Sequence, residues 1–89
     1  MKQLRLLYLE ECPYCKEAFA FIDQLKQEDD RYKDIEIETI EESVHPELIV
    51  KYNFYYYYVP TIYMDDVKMH EGIITKEDVK RIFDKALEE

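Results

Sequence analysis

The sequence has 89 residues, of which 47% are hydrophobic and 37% are charged, and its formal net charge is −9. This length suits a single domain over residues 1–89, and the composition is that of a globular protein, not of a disordered one. The acidic charge argues against nucleic acid or an anionic membrane as partner, because both are bound through surfaces rich in Lys and Arg.

The first predicted element is a strand over residues 3–9, whose nearly continuous apolar character is typical of a central strand covered on both faces. Beyond it, residues 12–15 read Cys-Pro-Tyr-Cys and contain the only two cysteines of the chain. Pro13 suits the first turn of a helix that is predicted to reach about residue 27. A strand, a tight turn with C-x-x-C and a helix form the context in which this spacing predicts a redox-active pair.

The expected compartment supports that interpretation of Cys12 and Cys15. No apolar run approaches the roughly 20 residues that span a bilayer, and the N-terminus lacks a signal-peptide pattern, so we expect a cytoplasmic protein. In a reducing cytoplasm a lone C-x-x-C more often cycles between dithiol and disulfide than serves as a staple. A structural zinc site would need His45 and His70 as further ligands, without the usual spacing. We therefore predict a redox-active disulfide and no metal.

The middle of the chain predicts an edge strand and a short helix. Apolar and polar residues alternate over residues 35–40, which is typical of a half-buried strand at a sheet edge. Pro46 suits the first turn of the helix that follows. Its buried side is predicted to consist of Leu48, Ile49 and Tyr52. Asn53 then suits the left-handed conformation in which helices often end.

The last third predicts a hairpin and a helix. Strands over residues 61–64 and 67–71 flank an Asp-Asp turn, and Gly72, the only glycine, is expected at a positive φ. Thr75 is the predicted N-cap of the last helix, with Asp78 three residues on. The whole order is βαβαββα, which predicts an α/β fold. In it, a four-stranded mixed sheet is flanked by three helices, and the first two strands are parallel.

The chemistry of thiol–disulfide exchange assigns different roles to the two cysteines. The attacking species is the thiolate, and an ordinary cysteine with a pKa of about 8.5 is mostly protonated at neutral pH. At a helix N-terminus, free N–H groups and the helix dipole favour the charged sulfur of Cys12. Cys15, one turn later, lies on the same side of the helix. We therefore predict Cys12 as the nucleophile and Cys15 as the thiol that releases the mixed disulfide.

Val59 and Pro60 are the second informative position. A proline that starts a strand after an irregular loop is a common place for a cis peptide bond. If the hairpin packs beside the first strand, Pro60 lies against Cys12 and the backbone of Val59 can pair with an extended substrate. Residues 55–58 are four tyrosines, which either pack alternate rings on the sheet or form an aromatic rim for docking a partner. The predicted substrate-binding residues are Pro13, Tyr14, Tyr58, Val59 and Pro60.

Together these features resemble the glutaredoxins and small thioredoxin-like proteins of the thioredoxin-fold superfamily, over essentially the whole chain. The resemblance rests on the Cys-Pro-Tyr-Cys motif, on Val59-Pro60 and on the order of elements. It implies a thioredoxin-like fold and a cis peptide bond before Pro60. It also implies a dithiol oxidoreductase with Cys12 as the nucleophile.

The sequence departs from glutaredoxins where they bind glutathione. The resemblance implies a basic residue shortly before the first cysteine, where this chain has Glu10 and Glu11. It also implies Gly-Gly and then Asp after the hairpin, where this chain has Glu71, Gly72 and two isoleucines. The threonine usual before Val-Pro is Tyr58. Carboxylates beside the motif would repel anionic glutathione, so we expect weak or no glutathione use.

Thioredoxins are not matched fully either, since their tryptophan before the first cysteine is Glu11 here and the acid of their first strand falls at Leu6. We predict a thiol–disulfide oxidoreductase for protein or small-molecule disulfides, with no tightly bound cofactor. Its expected partners are disulfide-containing proteins and a reductant, either a reductase of the thioredoxin reductase type or glutathione. We expect a monomer. The alternatives are a glutathione-dependent dithiol glutaredoxin, a glutaredoxin-like module holding an iron–sulfur cluster through Cys12, and a redox-inert interaction domain.

Overall fold

A computed structural model describes residues 2–88, which form a sheet with helices on both faces. The elements are β1 (Leu4–Tyr8), α1 (Pro13–Glu28), β2 (Ile37–Glu41), α2 (Pro46–Lys51), β3 (Thr61–Met64), β4 (Val67–Glu71) and α3 (Lys76–Leu87). The strand order is β2-β1-β3-β4, with β1 parallel to β2 and antiparallel to β3. The predicted α/β class, the order of elements and the mixed four-stranded sheet are confirmed.

Strand β1 is a central strand, and its side chains are buried on both faces of the sheet. Successive residues of a strand point to opposite faces, so Leu6 joins the larger core with α1 and α3 while Leu7 joins a smaller one beside α2. Both leucines are completely buried. Burying one such side chain contributes about 1.5–3 kcal/mol, which holds the strand that leads into the cysteine motif in place.

Helices α1 and α3 cover the same face of the sheet. Their buried residues recur every three or four positions, as expected for an amphipathic helix; they are Cys15, Ala18, Ile22 and Leu25 in α1, and Val79, Ile82, Phe83 and Ala86 in α3. The predicted cap of α3 is confirmed, since Thr75 and Asp78 form a reciprocal capping box. None of the helices between residues 2 and 88 is long and apolar enough to cross a membrane.

Two elements differ from the sequence prediction. Strand β2 begins at Ile37, not at residue 35, because backbone hydrogen bonds of 3.0 Å (Tyr32 N–H to Asp29 O) and 3.1 Å (Ile35 N–H to Tyr32 O) hold the preceding residues in turns. Strand β2 lies at the sheet edge as predicted, but burial is not confined to one of its faces, since Ile37 packs against the larger core and Ile40 lies in the smaller one. Helix α2 has no fully buried residue, and the three residues of its predicted buried side are only partly buried.

The special backbone positions agree with the sequence. Asn53 (φ 61°) and Gly72 (φ 91°) have the predicted positive φ, and Asp65 in the hairpin turn also has φ 54°. The Val59–Pro60 peptide bond is cis, as the resemblance implies. The hairpin strands have the predicted bounds, so Pro60 immediately precedes β3.

Candidate active site

Cys12 is the N-cap residue of α1, at the end of the tight turn that follows β1. Its backbone N–H donates to the carbonyl of Leu9 at 3.1 Å, which closes the turn. Its Sγ accepts a hydrogen bond of 3.2 Å from the backbone N–H of Cys15. Such an N–H at the positive end of a helix stabilises negative charge on the sulfur. The sequence motif therefore places the Cys12 sulfur at the helix N-terminus, with a backbone N–H directed at it.

Cys15 differs sharply from Cys12, although only one helical turn separates them. Cys12 is half-buried, Cys15 is only 1% exposed, and both are free thiols. Burial, followed by the hydrogen bond with Cys12, raises the pKa of Cys15 to about 12, and the carboxylate of Glu42 acts in the same direction. The Cys15 thiol is therefore protonated at neutral pH and must lose its proton before it can attack. The geometry makes Cys12 the accessible sulfur and Cys15 the inner one.

The segment before β3 forms the wall opposite the cysteine turn. Because β3 lies beside β1, with Thr61 paired to Leu7, the preceding residues arrive next to the end of β1. The Cys12 Sγ lies 3.8 Å from the carbonyl oxygen of Val59. The structure thus brings Val59 to Cys12, as predicted, and buries Pro60, the next residue in the chain.

An apolar groove runs along this wall. It has a volume of about 380 Å³ and is lined by Tyr14, Tyr58, Val59, Gly72 and Ile73. Tyr14 is 46% exposed, Tyr58 69% and Ile73 62%. Three of the predicted substrate-binding residues meet here, whereas Gly72 and Ile73 were missed. The one signal for Ile73 in the sequence is an isoleucine directly after the hairpin, at a position where it departs from the glutaredoxin pattern.

Glu71 binds the backbone of the tyrosine segment that forms the groove wall. Its Oε2 accepts hydrogen bonds from the backbone N–H groups of Tyr57 (2.6 Å) and Tyr58 (3.0 Å), and its Oε1 accepts one from Lys68 Nζ (2.6 Å). These partners, Lys68 first, lower the pKa of Glu71 to about 2. The Gly72 N–H adds a hydrogen bond of 2.8 Å to the Pro60 carbonyl. Glu71 is therefore a structural acceptor whose charge is compensated by Lys68.

The other side of Cys12 is acidic. A second cavity, of about 370 Å³, is lined by Leu9, Glu10, Glu11, Glu41 and Ser43. The Glu41 carboxylate accepts hydrogen bonds from Ser43 and from the backbone N–H of Glu10. Within residues 2–88 the carboxylates of Glu10 and Glu11 form no hydrogen bond or ion pair. The two glutamates before the motif thus stand exposed next to the cysteine turn.

The four consecutive tyrosines have different environments. Tyr56 is half-buried and donates a hydrogen bond of 2.8 Å to Glu42. Tyr55 and Tyr57 are exposed, pack edge to face and share a hydrogen bond between their hydroxyls. Only Tyr58 lines the groove beside Cys12. The predicted alternation holds from Tyr55 to Tyr57, because Tyr56 packs against the smaller core while its neighbours are exposed, but Tyr58 is exposed as well and breaks it. A continuous aromatic rim does not describe the segment.

The histidines weighed as zinc ligands have other surroundings. His45 lies at the start of α2, 3.1 Å from Glu47, and the Nε2 of His70 lies 2.7 Å from the carbonyl of Ile73. Across residues 2–88 no group of three or more His, Cys, Asp or Glu side chains is arranged to hold a metal ion.

Comparison with known proteins identifies the fold. No protein-family model and no curated protein matches the sequence. A malarial protein of known structure is 16% identical, with a TM-score of 0.67 over 94% of both chains. The oxidised thioredoxin from Plasmodium falciparum is 18% identical, with a TM-score of 0.65 over 96% of this chain and 82% of that one. The structure of the first two thioredoxin domains of Saccharomyces cerevisiae Eps1p is 18% identical, with a TM-score of 0.56 over 92% of this chain and 34% of that one. The chain therefore has a thioredoxin-like fold, as predicted.

Proposed function

We propose that this protein is a dithiol–disulfide oxidoreductase that acts through Cys12 and Cys15. The observation that carries the proposal is the pairing of two free thiols at one helix N-terminus. One is accessible and accepts a backbone hydrogen bond at its sulfur, and the other is buried directly behind it. Exchange needs an attacking thiolate and a second thiol within reach of the bond that forms. The thioredoxin-like fold agrees with this chemistry.

The proposed reaction has two steps. The Cys12 thiolate attacks one sulfur of the substrate disulfide, so that a Cys12–substrate bond forms and the other substrate sulfur leaves as a thiolate. Cys15 then loses its proton and attacks the Cys12 sulfur, which expels the second substrate thiolate. Two electrons pass to the substrate, and the Cys12–Cys15 disulfide remains. An external dithiol or glutathione must reduce that disulfide before the next cycle.

Substrate binding is proposed along the groove and the cis-proline wall. No hydrogen bond from the Val59 N–H is found within residues 2–88, so this group is open to an extended substrate. Tyr14 and Tyr58 would flank the substrate, and Pro60 would hold the wall in place. Pro13 starts α1 and does not line the groove, so its proposed contribution is to shape the turn.

We propose a reductase of the thioredoxin reductase type as the electron donor, with glutathione a poor one. No Lys or Arg lines the groove, whereas the glutathione carboxylates would call for positive charge. The unpaired Glu10 and Glu11 would repel the same anion. We propose disulfide-containing proteins as the substrates. We also propose that this protein acts as a monomer in the cytoplasm.

Coupled turnover of NADPH tests both parts of the proposal. The protein is supplied with a protein disulfide and either thioredoxin reductase or glutathione with glutathione reductase. We expect turnover with the first system and little with the second, and none for Cys12→Ser in either. Val44→Ser, an exposed position outside the motif, serves as the control. Equal turnover by Cys12→Ser would refute the mechanism, and faster turnover with glutathione would refute only the choice of donor.

A further inference from the structure

The two sides of Cys12 offer a bound segment opposite kinds of surface. On one side lies the apolar groove of Tyr14, Tyr58 and Ile73, and on the other lie the exposed carboxylates of Glu10 and Glu11. A segment that brings its sulfur to Cys12 must extend over at least one of these sides. The two surfaces together therefore indicate which side chains a preferred substrate segment carries.

The groove suits a bulky apolar side chain. Ile73 and Tyr58 are more than half exposed, although both are apolar over most of their surface. The groove lies beside the reacting sulfur, because Val59 lines it and the Val59 carbonyl oxygen is 3.8 Å from the Cys12 Sγ. A residue next to the attacked cysteine would thus reach the groove. Covering Ile73 and the tyrosine rings would remove apolar surface from water.

The acidic side suits a basic surface. Glu10 and Glu11 have no ion pair within residues 2–88, and the chain as a whole has a formal net charge of −9. Glu71, on the apolar side, is compensated by Lys68 and does not extend this negative field into the groove. Lys16 lines a cavity with Glu10 but forms no ion pair with it within residues 2–88, so negative charge exceeds positive charge beside the motif. Such an excess at the rim of a site favours partners of opposite sign and accelerates their association.

We propose that the site selects protein disulfides on a basic surface, with a bulky apolar residue next to the attacked cysteine. This inference rests on the proposed function and narrows its substrate class. The reaction is the exchange described above, and only the recognition is new. An acidic or purely polar partner would meet repulsion on one side of Cys12 and an unfilled groove on the other.

Symmetric peptide disulfides test the proposal, because either sulfur of a homodimer gives the same product. Four homodimers combine Leu or Gly next to the cysteine with flanking Lys or Glu. Their single-turnover reduction by the dithiol protein is followed as formation of the Cys12–Cys15 disulfide. We expect the Leu/Lys peptide to react fastest, and the change of Leu to Gly to slow reduction about tenfold. The change of Lys to Glu should slow it by a similar factor of about ten at low salt, and much less at about 0.5 M salt.

Matched variants assign the two preferences to the two sides. Ile73→Asp should remove the preference for Leu, whereas Val67→Asp, at another exposed apolar position of the hairpin, should keep it. Replacing Glu10 and Glu11 together by Gln should remove the preference for Lys. Replacing Asp34 by Asn and Glu36 by Gln makes the same change in charge before β2 and should leave that preference intact.

A small neutral disulfide separates this proposal from the underlying function. Bis(2-hydroxyethyl) disulfide should be reduced by the wild type, and at about the same rate by the two control variants, Val67→Asp and the pair Asp34→Asn with Glu36→Gln. If it is reduced but the four peptides react within about twofold of one another, the selectivity is refuted and the oxidoreductase stands. If the wild type reduces neither it nor any peptide, both proposals are refuted.

Discussion

The two sides of Cys12 both contain glutamate, but they hold it in different ways. In the loop after β1, Glu10 and Glu11 extend into solvent without a partner within residues 2–88. On the aromatic side, Glu71 accepts two backbone hydrogen bonds and pairs with Lys68. The first arrangement leaves negative charge beside the cysteine motif. In the second, the carboxylate fixes the backbone of Tyr57 and Tyr58.

This difference shows that a carboxylate near a reactive thiol need not act on it as a charge. In the sequence, Glu71 stands with Glu10 and Glu11 among the departures from the residues that bind glutathione in glutaredoxins. In the structure Glu71 holds Tyr57 and Tyr58 in position, so its effect on a substrate passes through the shape of the groove. The two sides can therefore be disturbed separately.

The largest expected effect lies between the two sides, at the buried thiol. Cys15→Ser should stop the second step, because no other thiol is present to attack the Cys12–substrate bond. In the absence of any added thiol we expect a stable one-to-one mixed disulfide, visible by mass spectrometry. Cys12→Ser is the control and should form no adduct. Wild-type turnover by Cys15→Ser under these conditions would contradict the dithiol mechanism.

Tyr63→Phe should weaken the aromatic side alone. The Tyr63 hydroxyl accepts a hydrogen bond from the backbone N–H of Tyr55 and donates one to its carbonyl, both at 3.0 Å. Losing them should lower the free energy of unfolding by about 1–2 kcal/mol, measured by urea denaturation. Tyr52→Phe is matched, since its ring belongs to the same cluster and its hydroxyl has no hydrogen bond within residues 2–88. An equal loss of unfolding free energy in both variants would show that the two hydrogen bonds between Tyr63 and Tyr55 do not stabilise the fold.

Glu71→Gln should have a smaller effect, directed at substrate binding. The amide keeps one acceptor oxygen but loses the ion pair with Lys68. We expect faster hydrogen exchange at the Tyr57 and Tyr58 amides and a severalfold rise in KM, with kcat little changed. Glu77→Gln, an exposed glutamate on α3, is the control. A fall in kcat with constant KM would mean that Glu71 acts on the cysteines after all.

The smallest expected effect is the acid titration of the same contact. The pKa of Glu71 is about 2, below the ordinary 4.5. A lowered pKa in the folded state means that the stabilisation is complete above about pH 4.5 and is lost as the pH falls towards 2. The amide shifts of Tyr57 and Tyr58 should follow this titration by NMR and stay flat in Glu71→Gln. A midpoint near pH 4.5 would show that the contact is absent in solution.

Most of the secondary structure was predictable because turns, caps and strand ends depend on residues that are close together in the sequence. The hairpin, the capping box of Thr75 and Asp78, and the positive φ of Gly72 each follow from a few neighbouring residues. Tyr32 was missed, since it lies in a charged stretch that predicts a loop. It is nevertheless completely buried, packs on Phe83 and shares a hydrogen bond with Asp84 of α3. Because α3 is far from Tyr32 in the sequence, no local pattern predicts that Tyr32 is buried against this helix.

The sequence by itself determined the order of elements, the placing of two cysteines at a helix start and the proline before β3. These depend on periodicity, capping and proline geometry, which act over a few residues. Only the tertiary structure decided that Ile73 joins Tyr14 and Tyr58 in one groove. It also decided that Glu71 binds the chain at Tyr57 and Tyr58, while Glu10 and Glu11 form no ion pair among residues 2–88. Glu71 meets Tyr57 and Tyr58 when β4 pairs with β3, and Tyr14 is brought to them when β3 pairs with β1, so these contacts depend on pairings that no local pattern contains.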